Sequence, residues 1–259
     1  MDDLFCLEKY YMDCINNEGS AIIGYSAVLS WKSVRINFSN LIVKHSGQKA
    51  TNIKSFTKTY EPEFKEDLLL WNNKKLNISG IWKSLKDPIS DNLISKENGS
   101  ILWECCQPLS IAEINYKDDF NISGLGYTEK IKMTLKPWEL GISELRWGRF
   151  LSDDVYIIWI AWIGETTKSN VYMNGKKYEA NIITENLIAF ENISLKILNN
   201  TALRNGIIFN TLLKNIPFVS QIFPKSILNL NETKFIAEGE LEINGELKKG
   251  WIIHEVVKW

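Results

Sequence analysis

Apolar and polar side chains alternate with a period of two along most of the chain, the mark of strands whose two faces meet different surroundings. In AIIGYSAVLSW the positions Ile23, Tyr25, Ala27, Leu29 and Trp31 are apolar, with Gly24, Ser26 and Ser30 opposite. VRINFS sets Val34, Ile36 and Phe38 against Arg35, Asn37 and Ser39. FIAEGELEI sets Phe235, Ala237, Leu241 and Ile243 against Glu238, Glu240 and Glu242. Asn-Gly pairs at 98–99, 174–175, 205–206 and 244–245 supply residues that tolerate positive φ at the centre of a type I′ turn. Two of them, in VYMNGKKYEA and LEINGELKKG, lie between strand-like runs and predict hairpins. No stretch sustains a period of 3.6, and the best helix candidate is short, 207–215, ahead of Pro217 and Pro224. The pattern predicts an antiparallel all-β protein with strands at sandwich or barrel spacing.

Two stretches break the alternation in an informative way. In GLGYTEKIKMTL one face carries Leu125, Tyr127, Glu129, Ile131 and Met133, so a carboxylate interrupts an apolar row. The closing stretch GWIIHEVVKW repeats the feature, with Glu255 among Trp251, Ile253, Val257 and Trp259. A second echo links NNEGSAIIGYSAVLSW to LSDDVYIIWIAWIG, each an acidic turn followed by an Ile-Ile strand with aromatics. Both echoes predict two related halves, 1–135 and 136–259. VYIIWIAWI at 155–163 is apolar on both faces and is expected to be buried on both.

Composition narrows the function. The 259 residues are 45% hydrophobic and 24% charged, with a net charge of −1, so there is no basic surface to attract nucleic acid. Ten Trp and eleven Phe fill a β core or line an aromatic cavity. The start, MDDLFCLEKYYMDC, lacks a basic region and apolar run, and 155–163 is far short of the ~20 residues of a membrane helix. The expectation is a cytoplasmic protein with reduced thiols and no transmembrane segment. Peripheral membrane contact and oligomeric state stay open. Of the four cysteines, Cys105 and Cys106 read as small buried hydrophobes pointing to opposite faces. Two histidines, His45 and His254, and no Cys-x-x-Cys or H-E-x-x-H make a metal centre an unpromising reading. No G-x-S-x-G elbow or dinucleotide fingerprint is present, so no cofactor is expected. Chemistry is left to carboxylates, tyrosines, arginines and pocket shape.

WECCQPLSIAEINYKDDFNISGLGYTEK (103–130), followed by ELRWGRF (144–150), resembles the lipocalin-like superfamily of carotenoid 1,2-hydratases, or hydroxyneurosporene synthases. That group also takes in AttH-type proteins and, more distantly, tocopherol cyclases and decalin-forming Diels–Alderases. The resemblance covers about 100–165 and the last ten residues. It implies two lipocalin-like (calycin) β-barrel or sandwich halves packed together, and a hydrophobic pocket for a lipophilic small molecule, a terpenoid or polyene. It implies an enzyme that protonates an alkene with a buried acid, with Tyr127 and Glu129 on the family's Tyr and acidic positions. Where the hydratase pattern has a His, Glu104, Cys105 and Cys106 stand here. Trp103, Glu104, Trp147, Arg149, Trp159 and Trp162 are the candidate substrate-binding residues.

Two roles for Glu129 stay open on the sequence. It is a proton donor, held protonated by burial and helped by Tyr127, or it is the ion-pair partner of Arg149, which shares an apolar face with Leu145 and Trp147. Glu255 reads as structural, paired with Arg146 or another cation. His254, on the opposite face from Glu255, is expected at the surface or a barrel rim. Pericyclic catalysis by pre-organisation and non-catalytic carriage of a lipophilic ligand are the rival functions.

Overall fold

The computed structural model describes residues 4–57, 60–117, 120–165, 167–214 and 219–259. Strands take up 69% of the chain and helices 7%, which makes the protein antiparallel all-β. The chain divides into two compact units, Met1–Glu139 and Leu140–Trp259. Among the described residues no helix is long and apolar enough to cross a membrane.

The first unit contains β1 (Phe5–Ile15), β2 (Ala21–Trp31), β3 (Val34–Lys44), β4 (Thr51–Ser55), β5 (Glu63–Lys65), β6 (Leu68–Asn73), β7 (Ile78–Ser84), β8 (Ile89–Lys96), β9 (Gly99–Tyr116) and β10 (Phe120–Met133). They form one sheet in the order β4-β3-β2-β1-β10-β9-β7-β6-β5, with β8 paired to β9. The second unit contains β11 (Ile142–Leu151), β12 (Tyr156–Gly164), β13 (Lys168–Met173), β14 (Lys176–Glu179), β15 (Ile182–Ile183), β16 (Leu187–Phe190), β17 (Ile193–Ile207), β18 (Asn231–Ile243) and β19 (Glu246–Lys258). Their order, β14-β13-β12-β11-β19-β18-β17-β16-β15, repeats the first strand for strand apart from β8. The sheets are curled, one into a half-barrel, as lipocalin-like halves are.

The repeat extends to single residues. Ile15 pairs with Ala21 and Leu125, and Leu151 pairs with Tyr156 and Trp251. On that register Gly124 corresponds to Gly250 and Glu129 to Glu255. A Cβ at Gly124 would stand 2.0 Å from the carbonyl oxygen of Ile15, and one at Gly250 would stand 2.1 Å from that of Leu151. Each hairpin therefore needs glycine where the neighbouring backbone crosses. The sequence echo reflects this common architecture.

Each sheet curls around its own apolar cluster. Met12, Cys14, Ile22, Leu41, Trp71 and Trp82 belong to the first, and Phe150, Ile157, Trp159, Val171, Phe190 and Leu195 to the second. Since Met12 and Cys14 face the first cluster, alternation turns Tyr11 and Asp13 of the same strand to the opposite face. The Asn174–Gly175 and Asn244–Gly245 hairpins form with positive φ at all four residues. The helix candidate at 207–215 is only partly helical, because β17 carries strand pairing through Ile207 and one turn of π-helix follows at Phe209–Leu213. Asn215 and Pro217 lie outside the described residues. Residues Tyr156–Trp162 of β12 are buried without interruption, as a strand apolar on both faces requires.

Candidate functional site

Glu129 sits mid-strand in β10 and is 3% exposed. Two neutral donors converge on one of its oxygens. The Tyr127 hydroxyl donates to Oε2 at 2.7 Å, and the Trp103 indole Nε1 donates to the same atom at 2.7 Å. Tyr127 comes from two residues back on the same face, and Trp103 from the neighbouring strand, one rung along, where it pairs with Ile131. Both are fully buried. The carboxylate in an apolar row is thus met by two buried hydrogen-bond donors.

Local irregularity helps to place these groups. The β9–β10 ladder shifts register between Gly126, Thr128 and Glu129, beside Pro108, which has no N–H to give to a ladder. Bulges of this kind re-aim side chains. One result is that Cys105 stands across from Glu129 on its own face. Burial, then the charge of Glu129, raises the Cys105 thiol well above its ordinary value, and its Sγ donates to the Thr128 carbonyl at 3.7 Å. Burial, then Glu104, pushes Cys106 up to about 12. Neither is a thiolate nucleophile at neutral pH. Burial also raises Tyr127 far above the usual phenol range, with the neighbouring Cys105 and Glu129 adding to it, so the hydroxyl keeps its proton and acts as a donor.

The same face carries two residues that the sequence reading passes over. Tyr11 lies directly across the β1–β10 ladder from Glu129, and Asp13 directly across from Tyr127. The Tyr11 hydroxyl donates to Asp13 Oδ2 at 2.7 Å, and both side chains are buried. The stretch CLEKYYMDCI, weighed only as a potential leader, yields Asp13 when tested for period two. Leu7, Lys9, Tyr11, Asp13 and Ile15 share a face, and Asp13 is the acid among them. Ring contacts tie the cluster together, Tyr11 to Tyr127 at 5.9 Å and Tyr11 to Tyr25 at 5.2 Å, both edge-to-face.

The remaining sequence-derived residues each belong to one of the two units. Glu104 pairs with Lys130, on the opposite face of the first sheet from Glu129, and lines a cleft of about 770 Å³ with Tyr10, Phe64, Cys106 and Lys130. Cys106 is half-buried there rather than a core residue. Trp147, Arg149 and Trp162 belong to the second unit and share one face of its sheet, since Trp147 pairs with Ile160 and Trp162 with Leu145. Arg149 is fully buried and its Nη1 donates to the Trp251 carbonyl at 3.0 Å. Trp159 is on the other face, within the apolar core.

Glu255, the counterpart of Glu129, forms an ion pair with Lys234, whose ammonium lies 5.1 Å from the centre of the Trp147 ring. Arg146 is instead paired with Glu144 at 2.5 Å. His254 is not at a rim but buried, 3% exposed. It fits because Gly148 stands across from it, Phe235 stacks on it at 4.8 Å, and Asn200 Oδ1 lies 2.7 Å from its Nε2. Burial, followed by the charge of Lys234, lowers its pKa to about 4, so it stays neutral at neutral pH.

No protein-family model matches the sequence, and no curated protein is recognisably similar to it. Solved structures with a similar fold exist. An AttH-like protein from Nitrosomonas europaea superposes with a TM-score of 0.60 over 97% of this chain and 92% of its own, at 8% identity. CghA in complex with Sch210972 gives 0.58 over 98% and 88%, at 8% identity. Kievitone hydratase from Nectria haematococca gives 0.58 over 97% and 88%, at 7% identity. The chain shares the fold of these proteins, which is the fold that the AttH resemblance in the sequence implies.

Proposed function

We propose that the protein is a cofactor-independent enzyme that holds a lipophilic terpenoid or polyene and assists its hydration, cyclisation or isomerisation, with Glu129 as the proton donor. The observation that carries this is the convergence of Tyr127 and Trp103 on one oxygen of a buried carboxyl. With Oε2 facing two donors, the transferable proton belongs on Oε1. In the step envisaged, the alkene π electrons form a new C–H bond with that proton, and the O–H pair stays on the carboxyl. The charge left on Oε2 is taken up by the two hydrogen bonds already in place, so no reorganisation is needed at the moment of transfer. The carbocation is captured by water, which returns a proton to Glu129, or by a second alkene of the same substrate, and the new cation then loses a C–H proton to the Glu129 carboxylate. Aromatic faces around the acid stabilise the cation by about 1–2 kcal/mol each when desolvated. The fold shared with a kievitone hydratase supports an enzyme of this type without fixing its substrate.

A pericyclic reaction is the second reading, favoured by the same donors. The Glu129 carboxyl that Trp103 and Tyr127 hold, protonated on its other oxygen, would polarise a carbonyl of a folded polyene, with proton transfer secondary. A retinoid-like polyene titrated into the full chain should quench tryptophan emission, with part of the quenching lost in Trp103→Phe. Unchanged emission at saturating polyene would remove the lipophilic-substrate reading in both forms.

A further inference from the structure

Tyr11, Asp13, Tyr127 and Glu129 form a two-by-two block on neighbouring strands. Tyr11 faces Glu129 and Asp13 faces Tyr127, so each acid is diagonal to the other and each accepts from the Tyr of its own strand at 2.7 Å. All four are buried on one face. The register is fixed from behind. The Trp82 indole donates to the Asp13 carbonyl at 2.7 Å, and Gly126 leaves it room, since a Cβ there would stand 2.7 Å from the Trp82 ring and 2.8 Å from that oxygen.

We infer, resting on the proposed acid role of Glu129, that Asp13 is a second carboxyl of the site and a positioning residue that raises the proton affinity of Glu129. The warrant is geometric. Diagonal positions on adjacent strands lie within about 7–8 Å, close enough for like charges to couple in a desolvated setting. The Cys105 thiol responds to both carboxylates, which places them in one electrostatic cluster. Other titratable or charged groups on this face of the first unit include Lys9, whose ammonium lies 5.9 Å from the centre of the Tyr25 ring, Tyr25 itself, Cys105, Asp91 opposite Trp103, Lys54 opposite Asn40, and the buried Lys44 opposite Ala21, whose Nζ donates to the His45 carbonyl at 2.9 Å. Asp13 thus keeps the proton on Glu129 at a pH where an isolated surface carboxyl would have lost it. Tyr11 orients the Asp13 carboxyl.

The test follows the Glu129 carboxyl directly, by carbon-13 NMR of the full chain labelled at Glu side chains, with its resonance identified by its loss in Glu129→Gln. In Asp13→Asn the midpoint of Glu129 should fall by about one pH unit or more, and Asp13→Glu should restore it. Tyr11→Phe, which keeps the acid but removes the donor that orients it, should lower the Glu129 midpoint too. It serves as the second reading if Asp13→Asn does not fold. A midpoint that stays put in the folded variants overturns the inference. That result leaves the role of Glu129 itself to its own assay, since a lone acid would still lose turnover in Glu129→Gln.

Discussion

Glu129 and Glu255 occupy the same register position in the two halves, yet one is met by a phenol and an indole and the other by an ammonium. Tyr11 stands across from the first and Trp147 from the second. Lys234→Met should therefore take a buried cation from the Glu255 carboxylate and cost about 3–5 kcal/mol. Adding Glu255→Leu should recover most of that loss. Urea unfolding of the wild type, the single variant and the double variant decides it, and a double variant no more stable than the single contradicts the pairing.

The two donors on Glu129 Oε2 are expected to be coupled. Tyr127→Phe and Trp103→Phe should each cost about 1–3 kcal/mol, because a buried acceptor loses a partner. The double variant should depart from the sum of the singles by about 0.5 kcal/mol or more, as groups sharing one atom do. Strict additivity in chemical denaturation would mean that the two bonds act independently.

The equivalent hairpin glycines give a backbone test of the repeat. Gly124→Ala and Gly250→Ala each drive a Cβ into a carbonyl oxygen and should each cost about 2–3 kcal/mol or more. Gly175→Ala, at φ +77° with open space around it, should cost only about 1 kcal/mol. Thermal or urea midpoints that rank Gly175→Ala with the other two would contradict the crossing geometry.

Acid sensitivity should come in part from His254. Its folded pKa of about 4 lies below the ordinary value of 6.5, so the unfolded chain binds the proton first. Stability from this group is complete above pH ~6.5 and is lost as pH falls towards about 4, by roughly 3 kcal/mol. His254→Gln should flatten the stability profile over that window. An equally steep profile in the variant would assign the acid sensitivity to other groups.

Much of this architecture is written in short-range pattern. Period-two alternation and two Asn-Gly turns suffice for the antiparallel class, and the Glu129 and Glu255 interruptions foreshadow the repeat. What escapes is whatever depends on strand neighbours far apart in sequence. Lys234 meets Glu255 only because β18 lies beside β19, and Trp103 reaches Glu129 only across the β9–β10 ladder. His254 looks like a rim residue until Gly148 and Phe235 close over it. Asp13 is legible by the same alternation that exposes Glu129, but its meaning comes from Tyr127 across the ladder.

The central claim is that Glu129 delivers a proton to carbon. The full chain incubated with acyclic terpenoid polyenes in deuterium oxide should yield a hydrated, cyclised or isomerised product carrying solvent deuterium on carbon, read by mass spectrometry. In Glu129→Gln, still folded, the rate of label incorporation should fall by about 10²–10⁴-fold, the usual worth of a positioned general acid. Product that forms without the label, or label that enters at the wild-type rate in Glu129→Gln, contradicts the account.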